Sequence, residues 1–229
     1  MRCEEQRNEF PVAGLGVAGQ GPAWPGVTRQ GKEKLGDRME IKTARAHLKS
    51  IAPYSQCRHY ETPEKDKERP DDYETRTWAD RLHVNNLGNV FLPAMGFKNG
   101  ISSAAKFLGQ QIPGKGKSTY TKHFEAGVMV LSDMVLKVRK EDVPGEWLFV
   151  PANGVRGFGK RVKKCFPVIH EWEGVVEFTV VDSVITKSVF EEHLIAFGQF
   201  IGVGRFRPQN NGIYGRFKVV GIEWSEETV

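Results

Sequence analysis

The sequence contains little cysteine and no long apolar run. Its three cysteines, Cys3, Cys57 and Cys165, lie far apart, form no CxxC pair and have no histidine nearby at metal-ligand spacing. Neither a disulfide framework nor a zinc site is therefore predicted. Nowhere do about 18 uninterrupted apolar residues occur, and the N-terminus carries acids, glycines and prolines instead of an apolar signal segment. We therefore expect a cytoplasmic protein that does not contact a membrane.

The motifs of common enzyme families are also missing. There is no GxSxG or HExxH sequence, and the six histidines stand apart from one another. Gly14–Gly19 matches GxGxxG, but it follows no strand pattern and precedes no helix. Gly116-Lys117-Ser118 resembles the end of a P-loop, although Gln111 stands where that motif needs its first glycine. We expect no enzymatic activity, no catalytic residues, no metal and no cofactor.

Positive charge is plentiful, and it is gathered in segments without acids. The net charge is +5 and the isoelectric point is about 9.1, which favours an acidic partner. Three acid-free segments, 97–124, 153–164 and 201–218, combine glycine, basic residues and at least one aromatic residue. Lysine and arginine bind phosphates, and aromatic rings stack on exposed bases. The combination predicts a surface that follows the backbone of a single-stranded nucleic acid.

The candidate contact residues come from these segments and from the stretch around residue 58. They are Arg58, Lys98, Lys115, Lys117, Lys122, Arg156, Lys160, Arg161, Arg205, Arg207, Asn210, Tyr214 and Arg216. The segment 201–218 is the richest, because its four glycines permit close approach of a ligand to the backbone and Tyr214 offers a stacking face. The alternative for this segment is a glycine-rich hairpin whose arginines face water.

The chain divides into an unpatterned extension and one domain. Residues 1–38 hold seven glycines and three prolines without apolar periodicity, so we expect them to be disordered and dispensable. Residues 39–229 are expected to form a single α+β domain. Within it, 39–51 fits a strand or a short helix equally well, and 61–80, with eight acids and four basic residues, is expected to be a mobile charged loop.

Apolar spacing predicts two main helices. Their apolar faces are Phe97, Ile101, Ala104, Ala105 and Leu108, and Phe190, Leu194, Phe197 and Ile201. The second helix is expected to begin with a capping box from Ser188 and Glu191. Strands are predicted at 124–131, 134–138, 146–150, 165–169, 174–181 and 214–224, with a turn at 85–88. This layout predicts an α+β sandwich of the ferredoxin or RNA-recognition type, with an antiparallel sheet and long basic loops.

Three stretches resemble a known superfamily. Phe91–Ile101 resembles the strand-to-helix entrance of the repeat-associated mysterious proteins, with Pro93 and Lys98 in matching places, although bulky residues replace small ones around Phe97. Residues 202–217 resemble the C-terminal glycine-rich loop of that superfamily, and 39–55 its opening strand. The superfamily includes the Cas7-like backbone subunits of CRISPR effector complexes. Some members bind guide RNA along a positive face and stack into filaments, and others cut RNA with an aspartate after the first strand.

The sequence and the resemblance together predict a non-catalytic protein that binds single-stranded nucleic acid, with RNA favoured over DNA. The resemblance also implies self-association, or a filament, along the bound strand. One alternative is a virion or scaffold protein that uses the basic loops at subunit interfaces. Another is a metal-dependent endoribonuclease of the same superfamily, although no aspartate of the acidic segment 61–74 matches a motif of that group.

Overall fold

The computed structural model describes residues 40–152 and 159–228. In chain order, the elements are β1 (Glu40–Ser50), β2 (Tyr54–Ser55), α1 (Pro70–Thr77), β3 (Asn89–Leu92), α2 (Ala94–Leu108), α3 (Thr121–Gly127), β4 (Val128–Met129), β5 (Met134–Arg139), β6 (Gly145–Pro151), β7 (Arg161–Ile169), β8 (Glu173–Val180), α4 (Lys187–Ala196) and β9 (Phe217–Thr228). A 3₁₀ turn, Trp78–Arg81, follows α1, and a π-helical turn, Phe197–Ile201, continues α4. The expected extension 1–38 and its GxGxxG match lie outside the described residues.

The main sheet has four strands in the spatial order β4-β8-β1-β9, and every neighbouring pair is antiparallel. Side chains along β1 alternate between its two faces: Ala44, Ala46 and Leu48 are fully buried, whereas Arg45 and His47 are exposed. Alternation with a period of two belongs to a strand. The ambiguity at 39–51 is thereby settled in favour of a strand.

The chain passes through the main sheet in the order β1, α2, β4, β8, α4, β9. A β-α-β-β-α-β order with the first strand beside the last is the ferredoxin-like arrangement. The predicted α+β fold, with its antiparallel sheet and two main helices, is confirmed.

The core lies between this sheet and the helices α2 and α4. Phe97 and Ile101 of α2 and Phe190 of α4 are fully buried, as the apolar spacing predicted. Two glycines allow the helices to pack closely. A Cβ on Gly100 would lie 2.0 Å from the Phe197 ring, and a Cβ on Gly198 would lie 2.3 Å from the Phe217 carbonyl oxygen.

A second layer is built from β7, which pairs with β6 and β2, and from α1 with its 3₁₀ turn. The loop expected at 61–80 is therefore wrong from residue 70 onward, where the chain is helical. The sequence does not indicate this helix, because the buried residues of α1 and its 3₁₀ turn are polar and give no apolar periodicity. They are Glu74, Thr77 and Arg81. Glu74, which is 1% exposed, accepts hydrogen bonds of 2.7 Å from Arg81 and from the Cys165 amide.

Two smaller expectations also need correction. The first half of the strand expected at 124–131 is the end of helix α3, and only Val128–Met129 joins the sheet. The cap of α4 is Thr186, whose hydroxyl accepts a hydrogen bond from the Val189 amide, so the helix begins ahead of the predicted capping box. The turn at 85–88 is confirmed, with Asn85 Oδ1 accepting hydrogen bonds from two amides.

Candidate nucleic-acid interface

The glycine loop, residues 202–216, lies against the segment that follows β1. The Arg205 amide donates to the Ser55 carbonyl and the Gly215 amide to the Pro53 carbonyl, each at 2.7 Å. Gly204 has a φ of +78°, and a Cβ there would lie 2.4 Å from the Ser55 carbonyl oxygen. The sequence predicted that these glycines admit a ligand. The close approach is instead to the protein's own backbone, so the glycines position the side chains of the loop.

The guanidinium group of Arg205 is held between two aromatic rings. Its Cζ lies 3.0 Å from the ring centroid of Phe166 and 3.7 Å from that of Phe206. Burial lowers the pKa of Arg205 to about 10, so the side chain is still charged at neutral pH. Its Nη1 atom is buried and has no hydrogen-bond partner among the described residues. The loop thus holds a flat, fixed positive charge with an unused donor.

Two further aromatic residues of the loop are constrained. Phe206 has a φ of +53°, a left-handed conformation that is costly for a bulky residue. The Tyr214 hydroxyl donates to Glu146 of β6 at 2.5 Å, and burial together with this bond raises the pKa of Tyr214 to about 12. The hydroxyl of Tyr214 thus ties the loop to β6, and the stacking of a base on its ring stays a prediction.

Arg205 and Phe206 form part of a cleft of about 840 Å³, which we call the basic cleft. Its other principal side chains are Arg81, Arg161, Lys164 and Phe149. Among the described residues that line it, none is Asp or Glu. Phe149 is 66% exposed, an unusual position for a phenylalanine in a paired strand. The cleft therefore presents basic groups together with an accessible aromatic ring.

Not every basic group in the cleft is available to a ligand. Arg81 and Lys164 both donate to the Glu74 carboxylate, at 2.7 Å and 2.9 Å. Burial alone would raise the pKa of Glu74, but hydrogen bonds from Arg81, the Cys165 amide and Lys164 hold it below its ordinary value. Glu74 is thus ionised and offsets charge from these two side chains. Arg161, which is exposed, and Arg205 supply the remaining charge of the cleft.

Other predicted residues lie around the glycine loop. Arg58, Lys160, Asn210 and Arg216 are exposed, and Arg207 is partly buried. Lys160 adjoins the cleft, since its carbonyl accepts a hydrogen bond from the amide of Ala152, which lines the cleft. Arg156 lies outside the described residues.

The lysines of the segment 97–124 lie elsewhere. Lys115, Lys117 and Lys122 are exposed on the turn between α2 and α3 and on α3 itself. The His123 ring bonds Asp182, just beyond the end of β8, at 2.6 Å. Hydrogen bonds from the Val184 amide and His123, with the charge of Lys115, outweigh burial and lower the pKa of Asp182.

The two basic regions are therefore at opposite ends of the sheet. The end of β8 pairs with Lys42, near the start of β1, whereas the glycine loop lies beyond Ser50, at its end. The intervening strand spans about 26 Å at a rise of about 3.3 Å per residue. The exposed lysines 115, 117 and 122 therefore do not form one continuous surface with the glycine loop.

Lys98 is used inside the protein. Its Nζ donates to Ser102 Oγ at 3.0 Å and to the carbonyls of Phe124 and Glu125, at the end of α3, at 3.0 and 2.8 Å. An ammonium group has three protons, and these three contacts use them. Burial lowers the pKa of Lys98. Its predicted role in ligand binding is corrected to one in helix capping.

The open face of the main sheet is unlike the basic cleft. Arg45 lies 3.6 Å from Glu177 and 3.8 Å from Glu223, and Lys49 lies 3.7 Å from Glu173. These pairs neutralise the basic residues of the face and leave it without a positive excess. A phosphate backbone is therefore better matched by the loop side of the molecule than by this face of the sheet.

Sequence reasoning did not single out Arg81, Phe149 or Phe166 as parts of the site. Phe149 lies in a run of four apolar residues, 147–150, and its exposure follows only from how β6 pairs with β7. Arg81 and Phe166 come from an acidic segment and an apolar strand, and neither context signals binding. Their placement depends on contacts between elements far apart in the chain.

Residues 40–152 and 159–228 contain neither a metal-binding cluster nor a helix that could span a membrane. No group of three or more His, Cys, Asp or Glu side chains is placed to hold a metal ion. Within this part of the chain, no helix has both the length and the apolar character needed to cross a bilayer.

Solved structures that are similar to this chain include the following two. A chain from the type III-B Cmr-beta complex bound to cognate target RNA matches with a TM-score of 0.49 and 9% identity, covering 81% of this chain and 61% of that one. A chain from the Csm3–Csm4 subcomplex of the type III-A CRISPR–Cas interference complex matches with a TM-score of 0.37 and 11% identity, covering 83% of this chain and 81% of that one.

No protein-family model matches the chain, and no curated protein matches it. This chain spans less than two thirds of the Cmr-beta chain that it matches. At identities of 9% and 11%, no residue role passes from the two structures to this protein.

Proposed function

We propose that the protein binds single-stranded nucleic acid in the basic cleft, without catalysing a reaction on it. The observation that supports this is the fixed Arg205 guanidinium beside the exposed Phe149 and Arg161, in a cleft whose described lining contains no acid. RNA is the expected ligand, because the sequence resembles a superfamily with RNA-binding members.

The cleft contains the two kinds of group that single strands need. Arg161 and Arg205 offer forked donors that match phosphate oxygens, and the exposed ring of Phe149 offers a face on which a base stacks. Since stacking on a ring is tolerant of base identity, we expect weak sequence preference. The fixed stack of Arg205 reduces the conformational entropy lost when the side chain meets a phosphate.

The test is fluorescence anisotropy with labelled oligo-U RNA and oligo-dT DNA over a range of salt concentrations. We expect Arg161→Gln to weaken binding and to reduce the salt slope by about 0.7 for the lost phosphate contact. Phe149→Ala should weaken binding by about 1–3 kcal/mol with little change in slope. The matched controls are Lys117→Gln, at the other end of the sheet, and Arg45→Gln, on its open face. Equal losses in the controls and in Arg161→Gln would contradict the assignment of the cleft.

Cys57 provides an independent report on location. Its thiol is exposed and lines the basic cleft, whereas Cys165 is buried. In a Cys3→Ser variant, bound RNA should slow the reaction of Cys57 with a maleimide. An unchanged rate at saturating RNA would place the strand elsewhere.

The remaining parts of the proposal have direct measurements. Intact RNA on a gel after long incubation with Mg²⁺ supports a non-catalytic role, and cleavage products overturn it. Comparison of the RNA and DNA titrations tests the preference for RNA. Stoichiometry on oligonucleotides of increasing length tests whether copies assemble side by side on one strand.

A further inference from the structure

A second pocket, of about 320 Å³, adjoins the basic cleft. It lies between the segment after β1, the glycine loop and the start of α2, and we call it the Gln56 pocket. Gln56, His83, Gly96 and Arg207 line it, and Arg205 and Cys57 line both this pocket and the basic cleft. Among its described lining residues there is no Asp or Glu.

The Gln56 pocket contains buried hydrogen-bond donors without acceptors. Gln56 is only 3% exposed, and its Oε1 accepts the hydroxyl proton of Tyr54 at 3.2 Å. Its Nε2 then has no partner among the described residues, and the same holds for Arg207 Nε and Arg205 Nη1. Buried polar groups are nearly always hydrogen-bonded, because a lost bond to water is otherwise not replaced. Three residues that line this pocket thus each carry a buried donor for which the described residues provide no acceptor.

The chemistry of that acceptor follows from the donors. An amide and two guanidinium groups suit an oxyanion with several oxygens, and charge-assisted bonds from arginine are strongest to carboxylate or phosphate. The start of α2 adds little, because the Asp133 carboxylate already accepts a hydrogen bond from the Ala94 amide at 2.7 Å. Burial, with the charge of Arg58, lowers the pKa of His83, so its ring is neutral and adds no charge. The pocket therefore offers two guanidinium groups and no carboxylate among its described lining residues.

We infer that the Gln56 pocket binds a phosphate group through Gln56, Arg205 and Arg207. The phosphate has two sources: a phosphodiester of the strand in the basic cleft, or the phosphate monoester of a free nucleotide or a strand end. Only the first source rests on the proposed function. Arg205 links the two sites, since its guanidinium borders both.

The test is isothermal titration calorimetry with four probes: inorganic phosphate, uridine 5′-monophosphate, and oligo-U RNA carrying either a 5′-phosphate or a 5′-hydroxyl. The variants are Gln56→Leu and Arg207→Gln. Their controls are Gln209→Leu, which is exposed in the same loop, and Arg45→Gln. Loss of one hydrogen bond to a charged ligand should reduce affinity about tenfold or more. If the source is a monoester, the two variants should lose affinity for the 5′-phosphate strand, the nucleotide and inorganic phosphate. If the source is a diester, the two variants should lose affinity equally for both RNA strands.

Thermal melting separates a ligand site from a structural one. Gln56→Leu combined with Tyr54→Phe removes both partners of the Tyr54–Gln56 hydrogen bond and keeps similar shapes, so this double variant should keep or raise the melting temperature of the ligand-free protein while it weakens phosphate binding. Wild-type affinity of folded Gln56→Leu and Arg207→Gln for all four probes would overturn the inference, and the proposed function would stand if wild type binds the strands. Wild type that binds phosphate but neither strand would overturn the proposed function and leave the inference.

Discussion

The hydroxyl of Tyr214 donates a hydrogen bond to Glu146 Oε2, and this contact joins the glycine loop to β6 across 68 residues of sequence. Tyr214 therefore acts on the position of the loop. A residue that holds a loop and a residue that stacks on a base respond differently to the same substitutions, which makes the distinction measurable.

Tyr214→Phe should destabilise the protein by about 1–2 kcal/mol, because it removes a hydrogen bond to a carboxylate and leaves the ring. Urea denaturation measures the change in the free energy of unfolding. Glu146→Gln should give a smaller loss, since the amide still accepts the bond. If Tyr214→Phe has wild-type stability while Tyr214→Ala weakens RNA binding in a folded protein, Tyr214 is a stacking residue after all.

Phe206 allows the cost of its backbone conformation to be measured. At a φ of +53°, glycine is favoured over alanine by about 1 kcal/mol or more, the reverse of the usual order. We expect Phe206→Gly to be more stable than Phe206→Ala in urea denaturation. Both variants lose the ring over Arg205, so their difference reports the backbone alone. A more stable alanine variant would show that the loop relaxes when the ring is removed.

Glu74 is expected to be essential for the second layer. Glu74→Gln leaves Arg81 and Lys164 without their carboxylate, and breaking such a buried pair costs about 3–5 kcal/mol. Hydrogen exchange should also show protected amides in α1 of the wild type and fast exchange in the variant. Glu173→Gln, which affects the exposed pair with Lys49, is the control and should have a much smaller effect. Fast exchange of α1 in wild type would restore the expectation of a loop.

His193 should make stability depend on pH. Burial lowers the pKa of His193, and this effect outweighs the hydrogen bond to the Val189 carbonyl and the charge of Glu192, which both raise it. At pH values below the ordinary histidine pKa of about 6.5, His193 is therefore protonated more fully in the unfolded chain than in the folded protein. The free energy of unfolding falls as the pH falls through this value. His83, whose pKa is also lowered, contributes in the same direction.

The matched variant is His193→Phe, which keeps a ring stacked on Phe124, 4.3 Å away in the wild type. Its melting temperature should fall less than that of wild type between pH 7.5 and about 5.5. Parallel pH profiles for the two proteins would mean that His193 does not titrate in this range.

The sequence was informative wherever one face of an element is apolar. The inward residues of α2, such as Phe97 and Ile101, and of α4, such as Phe190, lie at the predicted spacing and are buried. It failed for α1, because Glu74 and Arg81 are buried as a hydrogen-bonded pair and not as apolar residues. Charge composition alone does not distinguish such a pair from residues in water.

The site was only partly predictable for a related reason. Arg205 was recognised from its basic, glycine-rich surroundings. Its aromatic partner Phe166 comes from β7, 39 residues earlier, and the Gln56 donors become evident only when burial is known. The exposed lysines at 115 and 117 looked equivalent to the arginines in sequence, yet the fold carries them to the other end of the sheet. The local sequence shows which segments are basic, whereas the order and pairing of the strands and helices decide which of these segments come together.

Because β1 and β9 are neighbours, Glu40 lies opposite Thr228 and Ser50 lies opposite Phe217. A short linker from residue 228 back to residue 40 can therefore close this domain into a ring at the edge farthest from the glycine loop. New ends opened at the exposed turn 114–117 would give a circular permutant in which the basic cleft and the Gln56 pocket stay within uninterrupted chain. Reporter groups fused at that turn would stand clear of both sites, so such a permutant would supply labelled protein for the binding measurements.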